Sequence, residues 1–188
     1  MLAAAVFCVS SDAKVCDPAL QKGVQAVNAL EKMSAYFTQM IDSSEQKGFF
    51  VWVRPHKVHL SFFGNKTPLD IVHNEEGAFV VNRSFGSVTR MVGKHYNFPF
   101  FKYIDFTKAR RVTSVVEYDD AWISWVVEGY ESIHILTHKE SGALMGWVIV
   151  QKTPIMVTLT DVDTVKPVCE DLFVTPERAS INTSLLNV

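Results

Sequence analysis

No apolar run in the 188-residue chain reaches the roughly 20 residues that carry a helix across a bilayer. That shortage predicts a soluble mature chain. Net charge is only −2, so the clustered basic face of most nucleic-acid ligands is missing. The one compact basic group, Lys108, Arg110 and Arg111, has the look of a solvated strand end. Charged residues make up 20% against 48% hydrophobic, which excludes a disordered chain. Three cysteines are too few for a disulfide framework: Cys8, Cys16 and Cys169. If the start of the chain is removed on export, Cys16 and Cys169 are left either as a bridge or as two buried thiols.

Catalytic signatures are absent as well. There is no Gly-x-Ser-x-Gly elbow, no phosphate-binding loop and no Gly-x-Gly-x-x-Gly turn. His134 and His138 share a strand face, but two imidazoles without a third ligand do not make a zinc site. Glu75–Glu76 and Asp119–Asp120 read as turn acids. No catalytic residue, metal or cofactor is assigned. A hydrolase built on His59 or His134 needs an acid and a nucleophile beside the imidazole in one cleft.

The first thirteen residues, "MLAAAVFCVSSDA", are apolar and then small and polar, as in the core and cleavage region of an export signal. Residues 1–13 are therefore expected to be a signal remnant, with 14–188 as one domain. Neither "AVFC" nor "AKVC" carries the small residue that an acylated cysteine wants before it. No repeat, linker or low-complexity tract divides the rest.

Asp17–Pro18 is a helix start, with a side-chain acceptor followed by Pro in the first turn. Leu20, Val24, Val27 and Leu30 then form a helical stripe that fades near Met33. From there the period is two. Runs of four to nine β-rich residues follow each other to "IMVTLTDV", separated by Gly, Asp, Asn or Pro. One stretch breaks the pattern: "HYNFPFFKYIDF", His95 to Phe106, reads as a short greasy helix or loop. The expected fold is α+β and mainly antiparallel β: an incomplete, half-open barrel of about ten or eleven strands capped by short helices.

A sheet that long must curl or close. Several strands are apolar on both faces: 49–53, 79–81 and 147–150. Two readings fit them equally, a curled sheet around a lined cavity and a two-sheet sandwich with an ordinary core. Within "GFFVWVRP", Arg54 follows an apolar strand and precedes Pro55. Alternation points it to the face of Phe50 and Trp52. There its donors suit the free carbonyls at the end of a lid helix; the alternative is a solvated arginine at a strand end.

Taken in order, these segments resemble one family, the periplasmic lipoprotein carriers of Gram-negative bacteria (LolA-like). The resemblance runs from about Leu30 to Pro176. It rests on "AYFTQ", like the family's Phe-x-Gln strand, on Gly48, on "VRPHKVHL", on "DIVHNEEGAFVVN", on "FPFF", and on the closing "LMGWVIV", "IMVTLTDV" and "DLFVTPE". Lys102 departs from the usual apolar run, and "VQKTPIM" stands where the family has an Asp–Gly turn.

The resemblance implies a periplasmic, non-enzymatic carrier whose apolar cavity takes the acyl chains of lipoproteins. It would receive them from an inner-membrane release complex and pass them to an outer-membrane acceptor. A monomer is expected, with no nucleic-acid partner. The side chains expected to hold the chains are Phe50, Trp52, Val58, Leu60, Phe62, Phe100, Phe101, Tyr103 and Trp147. By the same resemblance Arg54 latches the lid through carbonyls near Tyr103 and Ile104. A lipid-binding or lipoprotein-sensing module of the same fold is the alternative function.

Overall fold

A computed structural model describes residues 17–55, 57–64, 69–91, 108–112 and 121–174. One helix, α1 (Pro18–Asn28), precedes eleven strands. These are β1 (Lys32–Ile41), β2 (Ser44–Val53), β3 (Lys57–Phe63), β4 (Leu69–Asn74), β5 (Gly77–Asn82) and β6 (Ser87–Met91), then β7 (Ala109–Val112), β8 (Trp122–Val127), β9 (Ile133–His138), β10 (Leu144–Ile149) and β11 (Ile155–Asp163). A 3-10 turn, Glu170–Phe173, follows.

All eleven strands form one sheet, ordered β6-β5-β4-β3-β2-β1-β11-β10-β9-β8-β7, with every neighbouring pair antiparallel. Two meanders run outward from a central β1–β11 pair. The edges, β6 and β7, follow each other in sequence and do not pair. The sheet is therefore a half-open barrel, and the sandwich alternative is excluded.

The two-faced strands have a simple explanation. On one face, Phe50 stands opposite Leu60, which stands opposite Ile71. On the other, Val51, His59, Val72 and Phe79 form a row, each at most 6% exposed. The first row faces the hollow. On the convex side the 3-10 turn packs against β3 and β4 and buries Phe173. Asn74 Nδ2 donates to the Phe173 carbonyl at 2.8 Å. Lys57 pairs with Glu170 and lies 5.8 Å from the Phe173 ring centroid.

Helix α1 lies across β7 to β10 on the concave side. Asp17 caps it, its Oδ1 accepting from the Ala19 amide at 2.9 Å, and its Oδ2 takes Arg111 of β7 at 2.6 Å. The Arg111 hydrogen bond is the main reason the Asp17 carboxyl is held below its usual range. Arg111, expected to be merely solvated, thus ties the edge strand to the helix start. The buried seam is Ala19, Gly23 and Val27, with Leu20 and Val24 flanking it. It differs from the Leu20–Val24–Val27–Leu30 stripe because the helix sits too close for bulk at its centre. A Cβ on Gly23 would lie 2.5 Å from Thr137 Oγ1, and one on Gly142 2.5 Å from the Lys22 carbonyl oxygen.

Gly48 serves the same purpose inside the sheet. The Phe37 ring lies over it, opposite in register, and meets Phe62 edge-on at 5.4 Å. A Cβ there would collide with that ring and with the Ser61 carbonyl. Gly48→Ala is expected to lower the unfolding free energy by about 1–3 kcal/mol, the usual cost of overpacking. Urea unfolding measures it; a stability equal to the parent would refute the contact. Adding Phe37→Leu should recover part of the loss.

The convex face also carries a polar group of four, of which His59 and Asp70 are buried and Arg83 is exposed. Ser61 Oγ donates to Asp70 Oδ1 at 2.6 Å, Arg83 pairs with Asp70 Oδ2, and His59 Nε2 stands 3.8 Å from Asp70 Oδ1. Burial pushes the His59 pKa down; Asp70 opposes the shift and Arg83 adds to it. His134 is lowered as well, by burial and by Arg110. A histidine unfolds to a pKa of about 6.5. The unfolded chain therefore takes up protons first on acidification. The stability from a neutral His59 is complete above that value and is lost as pH falls through the lower folded pKa. Unfolding free energy should drop from about pH 7 to about pH 5. His59→Phe should flatten the drop without abolishing it, and an unchanged slope would refute the assignment.

Candidate functional site

Among the described residues, the hollow of the sheet is filled on one side and open on the other. Beneath α1, Val27, Trp125, Ile135 and Trp147 pack into a continuous core with Phe50 and Trp52. Phe50 meets Trp147 edge-on, ring centroids 5.9 Å apart, across the interior. Beyond that pair lies a cavity of about 200 Å³. One wall is Val58, Leu60, Phe62, Ile71 and His73; the other is Trp147, Ile149, Ile155 and Val157, with Phe37 and Gln39 between them.

Of the nine side chains expected to hold ligand, Val58, Leu60, Phe62 and Trp147 line this cavity. Phe50 and Trp52 are 0% exposed and belong to the core that backs it. Phe100, Phe101, Tyr103 and Ile104, with the rest of the lid segment, lie outside the described residues, as does Cys16, while Cys169 is an exposed free thiol. Phe37, Gln39, Ile71, His73, Ile149, Ile155 and Val157 line the cavity too and were not among the expected ligand contacts. Phe37 and Gln39 were visible as one alternation set of β1. Placing the wall from β10 and β11 opposite β3 required the long-range β1–β11 pairing.

Arg54, just past the end of β2, bonds to the last turn of α1 and the link after it. Its Nε donates to the Leu30 carbonyl at 2.6 Å, its Nη2 to the Asn28 carbonyl at 2.9 Å, and its backbone N–H to the Glu31 carbonyl at 2.8 Å. Asn28 is the last residue of α1, where a helix has free acceptors and the negative pole of its dipole, and Leu30 and Glu31 follow it in the link to β1. The guanidinium also stands 5.7 Å from the Trp52 ring centroid. Its side chain is 25% exposed, and the Glu31 carboxylate is 4.0 Å away. The acceptors found are those of the first helix, at the opposite end from the Arg111–Asp17 pair. An arginine thus holds each end of α1, one from β7 and one from the end of β2.

The geometry for acid–base chemistry is different. Around His59 a serine and an aspartate do come together, but not as a catalytic relay. A relay uses both ring nitrogens, one on the acid and one on the hydroxyl. Here Nε2 faces both Ser61 Oγ, at 3.4 Å, and Asp70. The Ser61 proton is already held by Asp70, and His59 Nδ1 has no hydrogen-bond partner among the described residues. The group is buried on the convex side, away from the cavity. His134 Nδ1 stands 3.4 Å from Ser124 Oγ. His138 Nδ1 accepts from the amides of Glu140 and Ser141. Among the described residues no three His, Cys, Asp or Glu side chains gather as metal ligands. No helix among the described residues is long and apolar enough to cross a membrane.

No protein-family model matches the chain, and no curated protein does. Among solved structures it is similar to a crystal structure of MucB, at 10% identity and a TM-score of 0.48, covering 88% of this chain and 64% of that one. The structure of the Pseudomonas aeruginosa MucA/MucB complex matches at 12% identity and a TM-score of 0.42, over 85% and 60%. A DUF1329 family protein from Desulfovibrio piger matches at 8% identity and a TM-score of 0.41, over 84% and 96%.

Proposed function

We propose that the protein is a periplasmic carrier that shelters the acyl chains of lipoproteins in the cavity between β3 and β10. The carrying observation is that cavity, mostly apolar on both walls and left unfilled by the described side chains. An acyl chain gains about 0.8 kcal/mol per buried CH₂, so it needs no catalytic group to bind. A carrier must also let go, and moderate binding is what a closed resting state provides. The bonds from Arg54 to the end of α1 stabilise that state and subtract from the affinity of any ligand that must displace the helix. In this reading cargo arrives from an inner-membrane release complex and leaves to an outer-membrane acceptor. There is no cofactor and no chemical step.

The size of the cavity favours one second reading. About 200 Å³ is less than the roughly 300 Å³ at which small-molecule pockets commonly begin. A protein that binds one chain of a free lipid or glycolipid, without carrying lipoproteins, fits that volume without helix movement.

A photo-crosslinking residue at Leu60 or Phe62, in protein purified from periplasm, should capture lipoprotein; adducts to free lipid alone would favour the second reading, and no adduct would sink both. Arg54→Leu should keep the fold but release cargo about tenfold more slowly to an acceptor membrane, as expected from losing about 1.4 kcal/mol of closed-state preference. Transfer at the parent rate would refute the latch.

A further inference from the structure

The cavity wall contains two polar side chains, Gln39 and His73. They stand apart. His73 is opposite Val58, in the row nearest Arg54. Two apolar cross-strand rows follow, Phe50–Leu60–Ile71 and Phe37–Gly48–Phe62, before the level of Gln39 is reached. Three steps of two residues at about 3.3 Å each place the two polar groups about 20 Å apart along the strands.

Gln39 is not alone at its end. Gln46 is directly opposite on β2, and Gln39 Nε2 donates to Gln46 Oε1 at 3.2 Å. Both side chains are half-buried. A primary amide offers two N–H donors and one carbonyl acceptor. One bond between the two therefore leaves the Gln39 oxygen, its second N–H and both N–H groups of Gln46. These groups are part-buried beside apolar walls, where a ligand carbonyl can take the place of water on them. The antiparallel register fixes the pair on rigid strands, as a recognition group requires.

We infer that the Gln39–Gln46 pair is a polar subsite for the carbonyl of an ester- or amide-linked acyl chain, whose hydrocarbon part lies along Leu60, Phe62 and Ile71. The inference rests on the acyl-binding reading above. The carbonyl accepts from the free N–H groups, and an amide adds an N–H to the Gln39 oxygen. The pair orients the chain: its linked end sits at the Gln39 level and its tail points toward His73. This assigns a role to the Phe-x-Gln pattern of β1. Phe37 shapes the wall over Gly48, and Gln39 reads the linkage.

The test uses the full chain with diphenylhexatriene, a dye without hydrogen-bonding groups, displaced by decane, methyl decanoate, N-methyldecanamide or sodium decanoate. In Gln39→Leu, affinity for the ester and the amide is expected to fall about fivefold to tenfold, the amide more, as for the loss of one or two ordinary hydrogen bonds. Decane and the dye should bind as before. Gln46→Leu should act in the same direction and guards against a local fault in either variant. An equal loss for decane and dye would make Gln39 a wall residue only and overturn the subsite. No loss for any ligand would overturn it too. A loss confined to decanoate would overturn the ester and amide assignment in favour of a free acid. If neither dye nor decane binds the parent protein, the apolar-cavity reading itself fails, a result separate from the others.

Discussion

Among the described residues, one eleven-residue helix faces an eleven-stranded sheet and leaves part of it uncovered. That mismatch of areas shapes the hollow. Where α1 lies, over β7 to β10, the hollow is packed with Trp125, Trp147 and Val27. Where it does not reach, Leu60, Phe62 and Ile71 face space. The Phe50–Trp147 pair marks the boundary. An apolar surface left open in water is a standing demand for an apolar partner.

The helix is positioned by polar contacts at its ends and by close packing at its middle. Asp17 offers one oxygen to the helix and the other to Arg111. Arg54 donates to the carbonyls at the opposite end. Negative charge at the start and positive charge at the finish both agree with the helix dipole. Gly23 and Gly142 bring the backbone of α1 against the sheet between these two points. Val27, next to the helix end that Arg54 holds, is 1% exposed, so directional bonds and apolar packing act together there.

The convex face shows a different economy. It buries an aspartate, a histidine and a serine together, and each partly satisfies another. A sequence search for a hydrolase would be drawn to the same three residue types. What removes them from that class is which nitrogen faces which oxygen, and that is a property of the register of β3 against β4.

Alternation, turn residues and the Asp17–Pro18 start determined the strands and the helix from the sequence, because these depend on neighbours two to four positions away. Arg54 could be placed on the face of Phe50 and Trp52 by the same rule. Tertiary structure alone decided the rest. That the sheet is single and open follows from β1 pairing with β11 across more than a hundred residues, which no local pattern encodes. That pairing brings Val157 and Trp147 opposite Leu60 and so creates the cavity. Phe50 and Trp52 looked like ligand contacts because alternation gives a face and not a depth. Depth is set by what packs on top, and over Phe50 that is the Trp147 ring from across the interior.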